Sequence, residues 1–398
     1  MIPWLSSSPR GFGMSTAALS LVACMGQSGG PAATTSTMAA SQTQRDQVLR
    51  GRAIVVSNAC GDCHGPGTGN PGATGWLVGW KSPQQDFPAG PFMTRPRNLT
   101  PDSATGTGRY TDRQLFNALR FGLRPSATPD VEITSTVPGQ GNHPAKPNYL
   151  APTMPWVAWR HMPDADLRAI VAYLQYGLRP VTNKVEDSQA PPDFWASANT
   201  VDKIGPLPAA PFPTANEVAG QGDQSKVVLG RALVITKDCG GCHGGGPNPL
   251  AQGYLAGMKD TTDEFKIGPF KTRARNLTPH NTTGLGRFTE RQIFNALRFG
   301  LRPGETPDVE ITSATPGQGN FPQHPKYLAV PMPWPSWRHM PDDQLWAIAA
   351  YLKNGLKPVN NKVPDSDGPP DFWASDYTVA KIGPHPPAPF PTVNERER

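Results

Sequence analysis

Two short runs hold the residues best suited to chemistry: Cys60-Gly61-Asp62-Cys63-His64 and Cys239-Gly240-Gly241-Cys242-His243. In each, two thiols stand one helical turn apart and a histidine follows the second. That spacing lets the thiols form thioethers to the two vinyl groups of a haem while the adjacent imidazole reaches the iron. A zinc site would require a second Cys/His pair in the same segment. A thiol-disulfide motif would require a βαβ setting. Neither pattern is present, so the sequence predicts two covalently bound haem c groups, with His64 and His243 on the irons.

Iron held by histidine on one side takes methionine, histidine or nothing on the other. Two methionine positions recur between the two halves of the chain: Met154 with Met332, and Met162 with Met340. Met154 and Met332 each precede Pro-Trp, and the proline holds an extended loop that can deliver a thioether without competing for helical hydrogen bonds. They are the expected axial ligands, a pairing that raises the potential and closes the iron to substrate. Met162 and Met340 are expected to pack at a helix start. His161 and His339 are the rival ligands. Arg97 and Arg275 are candidates for the haem propionates, because a carboxylate removed from water needs a cation or several donors. Trp156, Trp159, Trp334 and Trp337 are expected to wall the haems.

These residues sit in a unit written twice. A shift of about 178 residues superposes FNALRFGLRP at Phe116 on Phe294, TPDVEITS at Thr128 on Thr306, WRHMPD at Trp159 on Trp337, and PPDFWAS at Pro191 on Pro369. The period is too long for a solenoid repeat and right for a domain, which gives modules at 42–216 and 217–398. In each, a first helix is expected to lead into the cysteines, over Leu49 to Asn58 and Val228 to Lys237. A second opens on a capping box at Thr111 and Thr289 and ends at Gly122 and Gly300. A third begins at Pro163 and Pro341 with acidic residues in its first turn, its apolar face at Leu167, Ile170, Val171 and Leu174 in the first copy. The expected fold is all-α, with long Pro/Gly-rich loops. Proline-rich tails, PPDFWAS and PAPFPT, should drape over each module.

Composition agrees with short helices in long connections, since Pro 47 and Gly 41 are unusually abundant in 398 residues. A formal charge of +6 over such a chain forms no basic tract, so nucleic acid is not an expected partner. Residues 1–23 read as an export signal: Arg10 is basic, Ala17 to Val22 are apolar, and small residues precede Cys24. Leu21-Val22-Ala23-Cys24 resembles the lipobox of bacterial lipoproteins, in which the cysteine is lipidated. Cys24 is also the fifth cysteine, left over from two self-sufficient pairs. Residues 24–41 read as a flexible tether, which places the protein in a bacterial periplasm, held to a membrane by lipid.

With Gly51 and Gly230 in the first helices, CxxCH, the segments Asn98 to Gly108 and Asn276 to Gly286, the MPW motif and a last helix ending in AYL, the chain resembles class I cytochromes c. More narrowly, it resembles diheme proteins made of two tandem class I modules. The resemblance implies crossed first and last helices, Gly51 meeting Tyr173 and Gly230 meeting Tyr351. It also supports the MPW methionines as ligands. It implies a carrier of single electrons between a redox protein donor and acceptor, with no catalytic residues of its own. The alternatives are the cytochrome subunit of a periplasmic dehydrogenase complex and, against the presence of MPW in both copies, a diheme peroxidase. Because Asp62 faces Gly241 within the attachment motifs, the first haem is expected to have the lower potential.

Overall fold

The computed structural model describes residues 32–66, 69–80, 87–89, 91–186, 190–258, 264–267, 269–364 and 369–397. Residues 43–398 gather into one compact unit; residues 1–42 form another, of which 32–42 are described, as helix. Cys24 and the 1–23 signal reading lie outside the described residues. Among the described residues no helix is long and apolar enough to cross a membrane.

Helix α1 (Ala32–Ser57) leads into the short α2 (Cys60–His64); a hairpin of β1 (Phe87–Ala89) and β2 (Phe92–Thr94) follows. Next come α3 (Asp112–Phe121), α4 (Trp156–Trp159), α5 (Asp164–Ala172) with a π turn to Gly177, and α6 (Val201–Ile204). The order then repeats as α7 (Gln224–Thr236), α8 (Cys239–His243), β3 (Phe265–Ile267), β4 (Phe270–Thr272), α9 (Glu290–Phe299), α10 (Trp334–Trp337), α11 (Asp342–Asn354) and α12 (Val379–Ile382). The architecture is helical with few strands. Both hairpins are antiparallel, with Phe87 opposite Thr94 and Phe265 opposite Thr272. α1 begins well before Leu49, inside the stretch read as tether, where 32–41 hold no glycine or proline to stop a helix.

Local signals place the second and third helices of each copy, α3 and α5, α9 and α11, where they are expected, whereas the short α4, α6, α10 and α12 were not expected and α7 starts at Gln224, before Val228. Thr111 and Thr289 form complete capping boxes with Gln114 and Gln292, and Gly122 and Gly300 close α3 and α9 at φ 68° and 69°. A side chain at either glycine would collide with the indole of Trp156 or Trp334. Pro163 and Pro341 cap α5 and α11 from outside, at ψ 145° and 148°, rather than occupying their first turns. Gly51 and Gly230 let α1 and α7 touch the helices that cross them. A Cβ at Gly51 would strike the Ala169 carbonyl and lie 2.9 Å from Tyr173 Cβ, and one at Gly230 would strike the Ala347 carbonyl. Around these crossings pack Val55, Trp76, Leu167, Ile170 and Tyr173 in the first copy, and Val234, Tyr254, Leu345, Ile348 and Tyr351 in the second.

The proline-rich tails do more than drape over their own copies. Residues 210–217 run onto the second copy. There Glu217 accepts from Arg231 Nε at 2.6 Å and Tyr351 Oη at 2.5 Å, and Asn216 Nδ2 donates to the carbonyls of Pro249 and Ala251. Residues 388–395 return to the first copy and repeat the arrangement. Glu395 accepts from Arg52 Nε and Tyr173 Oη, both at 2.6 Å, and Asn394 Nδ2 reaches the carbonyls of Pro71 and Ala73. Glu395 also bridges to Leu178, as Glu217 does to Leu356. The far end of the described chain thus straps its beginning.

Candidate functional site

The two CxxCH motifs are set by a sharp change of direction. Ala59 and Asp238, neither of them glycine, adopt the left-handed conformation at φ 58° and 54°, and each turns the chain out of the preceding helix into the short CxxCH helix. Cys60 and Cys239 are half-buried and Cys63 and Cys242 exposed; all four are unbridged. Burial is the main reason that the Cys60 and Cys239 thiols rise to about 12, which keeps them neutral.

Each motif histidine is oriented by one backbone carbonyl. His64 Nδ1 donates to Arg97 O at 2.7 Å and His243 Nδ1 to Arg275 O at 2.6 Å. A carbonyl can only accept, so the ring proton sits on Nδ1 and Nε2 keeps its lone pair, the usual outer bond of a metal-binding imidazole. Burial lowers His64 to about 4 and lowers His243 as well, so both rings are neutral at physiological pH. Asn98 and Asn276 hold the supporting loops: Asn98 Oδ1 accepts from Thr100 N at 3.0 Å and its Nδ2 donates to Val181 O at 2.7 Å, and Asn276 does the same with Thr278 and Val359.

One continuous cavity of about 1590 Å³ is lined by both motifs. That exceeds the roughly 300–1,000 Å³ of a site for one small ligand. Its walls include Val55, Leu115, Trp159 and Leu174 from the first copy and Ile293, Leu297, Trp337 and Leu352 from the second. Met154 and Met332 both face it, each half-buried. Met162 and Met340 lie in the cores instead, buried among Leu167 and Leu345. His161 and His339 are not among the cavity residues; His339 packs beside Gly69 and His385. The tryptophans divide: Trp159 and Trp337 face the cavity, while Trp156 and Trp334 stack on Tyr149 and Tyr327 at 5.9 and 6.0 Å.

Arg97 and Arg275 line the cavity, and each directs Nη1 to the chain that follows α5 or α11, Arg97 to Val185 O at 2.9 Å and Arg275 to Pro364 O at 3.3 Å. Arg124 and Arg302 also line it; both belong to the recurring FGLRP run, where sequence reading did not single them out. Two further groups stayed hidden because they do not recur. Lys237 and Asp238 in the second copy stand where the first has Asn58 and Ala59, and burial raises Asp238 to about 7. The second motif therefore has an acidic group beside it as well, one that burial keeps partly protonated near neutral pH, so the contrast between Asp62 and Gly241 is narrowed, not removed.

The residues fit a covalently attached haem. Thiols, a neutral histidine with Nε2 unprotonated, an apolar wall and a cationic rim share one space. Among the described residues no three or more of His, Cys, Asp and Glu gather as a metal cluster, so a zinc donor set is not assembled there.

A family model described as cytochrome c matches residues 48–177. Such a domain implies covalently bound haem c. The chain is 26% identical over 337 residues to the gluconate 2-dehydrogenase cytochrome c subunit of Pantoea cypripedii, covering 82% of this chain and 64% of that protein. It is 27% identical over 266 residues to the cytochrome c subunit of the quinone alcohol dehydrogenase of Komagataeibacter europaeus, covering 66% and 47%. It is 25% identical over 322 residues to the fructose dehydrogenase cytochrome subunit of Gluconobacter japonicus, covering 79% and 54%. The chain spans less than two thirds of the length of these relatives. It carries a cytochrome c domain and is homologous to the cytochrome c subunits of dehydrogenases.

Proposed function

We propose that the chain is the diheme cytochrome subunit of an exported dehydrogenase, taking single electrons from a catalytic partner and passing them to an acceptor. The similarity to subunits of gluconate, alcohol and fructose dehydrogenases over most of this chain carries the reading. It favours a subunit over the free carrier expected from sequence. The three named substrates all bear hydroxyl groups, which makes a hydroxyl-oxidising partner the first to test. Bound haem supplies one-electron chemistry; Cys60, Cys63, Cys239 and Cys242 would hold two of them, His64 and His243 one face of each iron, and Met154 and Met332 the other. The second CxxCH and the size of the shared cavity support two haems. Two tandem modules at 42–216 and 217–398, and periplasmic anchoring through lipidated Cys24, complete the proposal.

The test is purification from the native membrane fraction. A catalytic dehydrogenase should co-purify, its substrate should reduce the haems, and pyridine haemochrome should count two c-type haems per chain. Haems that stay oxidised with every hydroxyl substrate of the co-purified partner would return the chain to a free carrier.

A further inference from the structure

The two attachment sites share one cation. Lys237 follows the last residue of α7, two positions before Cys239, yet its Nζ reaches across to the first copy. There it donates to the carbonyl and the hydroxyl of Ser57, both at 3.0 Å. Ser57 ends α1, so the ammonium satisfies a carbonyl that the helix leaves unpaired and meets the negative end of its dipole.

Lys237 lines the cavity together with Cys60 and Cys239, and its charge acts on both thiols. The equivalent residue in the first copy is Asn58, which is neutral and turns its Nδ2 back to Ile54 O at 2.8 Å. One ammonium therefore stands beside both motifs. Among the described residues no carboxylate pairs with it within 4.0 Å. Asp166 acts on it from α5, and Asp62 and Asp238 flank the motifs it faces. Burial lowers its pKa to about 8, which leaves it mainly protonated at neutral pH.

We propose that Lys237 is a shared electrostatic positioning residue that raises the potential of both haems, a role that rests on the two-haem reading above. Ferric haem carries one more positive charge than ferrous, so a fixed cation facing a protein-walled cavity opposes oxidation more than the same charge in water would. Because the ammonium lines the cavity beside both motifs and its charge acts on a cysteine of each, its removal must move two potentials in one direction.

Lys237→Gln keeps a donor toward Ser57 and removes the charge. Redox titration of the holoprotein should show both midpoint potentials shifted downward, with two haems per chain by pyridine haemochrome. Lys237→Arg should leave both near the wild-type values. If Lys237→Gln fails to assemble, Lys237→Met removes the same charge on a stem of similar length. A variant with two haems and unmoved potentials, or with only one moved, overturns the proposal and leaves Lys237 a helix cap. A wild-type count of one haem would overturn the two-haem reading instead.

Discussion

At the scale of single residues, the axial ligands are open to a direct test. Met154 and Met332 face the cavity while Met162 and Met340 are enclosed by core side chains. Met332→Ala is therefore expected to remove about half of the near-infrared sulfur-to-iron band of the oxidised protein, and Met154→Ala the other half. Met340→Ala should leave the band and cost about 2–5 kcal/mol of stability through the cavity it opens; a band lost with Met340 reverses the assignment. The histidines give a pH dependence. Burial holds His161, which does not line the cavity, at about 4, below its ordinary 6.5. Between those values the unfolded chain binds a proton that the folded chain does not, so stability rises with pH through the window and falls as pH drops from 6.5 toward 4. Denaturant titrations across that range check the sign, and a stability flat through it contradicts the burial of His161. Residue types at fixed local spacing made CxxCH and MPW legible in the sequence. Lys237 was not, because its neighbour Ser57 is 180 positions away and packing alone brings them together.

Elements show where opposing magnitudes decide. By helix propensity alone, Gly51→Ala and Gly230→Ala would each gain about 1 kcal/mol. In the fold each new methyl would collide with a backbone carbonyl of the crossing helix, Ala169 or Ala347, and neither can yield as a flexible side chain would. Overpacking of this kind costs about 1–3 kcal/mol, so both variants should melt below wild type; a rise in melting temperature would mean that the helices can separate freely. The capped helices α3 and α9 were readable beforehand because caps are local, while the four-residue α4, α6, α10 and α12 were not. Thr111 with Gln114 and Thr289 with Gln292 sit three residues apart, and the stop signals Gly122 and Gly300 follow directly. The hairpins were not readable, since three-residue strands such as Phe92–Thr94 are too short to show an alternation. Pro163 and Pro341 show the limit of position-based rules: an extended ψ sets each outside the helix it was expected to begin.

Over the molecule as a whole, the strap formed by residues 388–395 closes the chain on itself. Thr214, Asn216 and Glu217 precede the second copy's main helix and serve it locally, Glu217 lying 14 residues from Arg231. No matching Thr-x-Asn-Glu run precedes the first copy, and its place is taken by Thr392, Asn394 and Glu395, with Glu395 meeting Arg52 across 343 residues. The recurrence was visible in the sequence, but which copy each strap would serve was not, because either choice satisfies the same local pattern. Glu395 is 0% and Glu217 2% exposed. Removing one partner of such a buried ion pair leaves the other charge unpaired and costs about 3–5 kcal/mol, a large share of the 5–15 kcal/mol that holds a typical domain. The exposed pair Arg45 with Glu397 is the control, worth about 0–1 kcal/mol. Glu395→Ala should therefore lower the melting temperature about as much as Glu217→Ala, and Glu397→Ala should barely change it. Because Glu395 joins the last described segment to the first copy's crossed helices, its loss should also expose Tyr173 and weaken ligation at His64 before His243. Visible spectra recorded during thermal unfolding of Glu395→Ala and of its Cys60→Ala and Cys239→Ala partners would separate the two proposed haems. Equal loss at both would show that the strap does not serve the first copy selectively, and a Glu395→Ala melt that matches wild type would show that the first copy holds together without it.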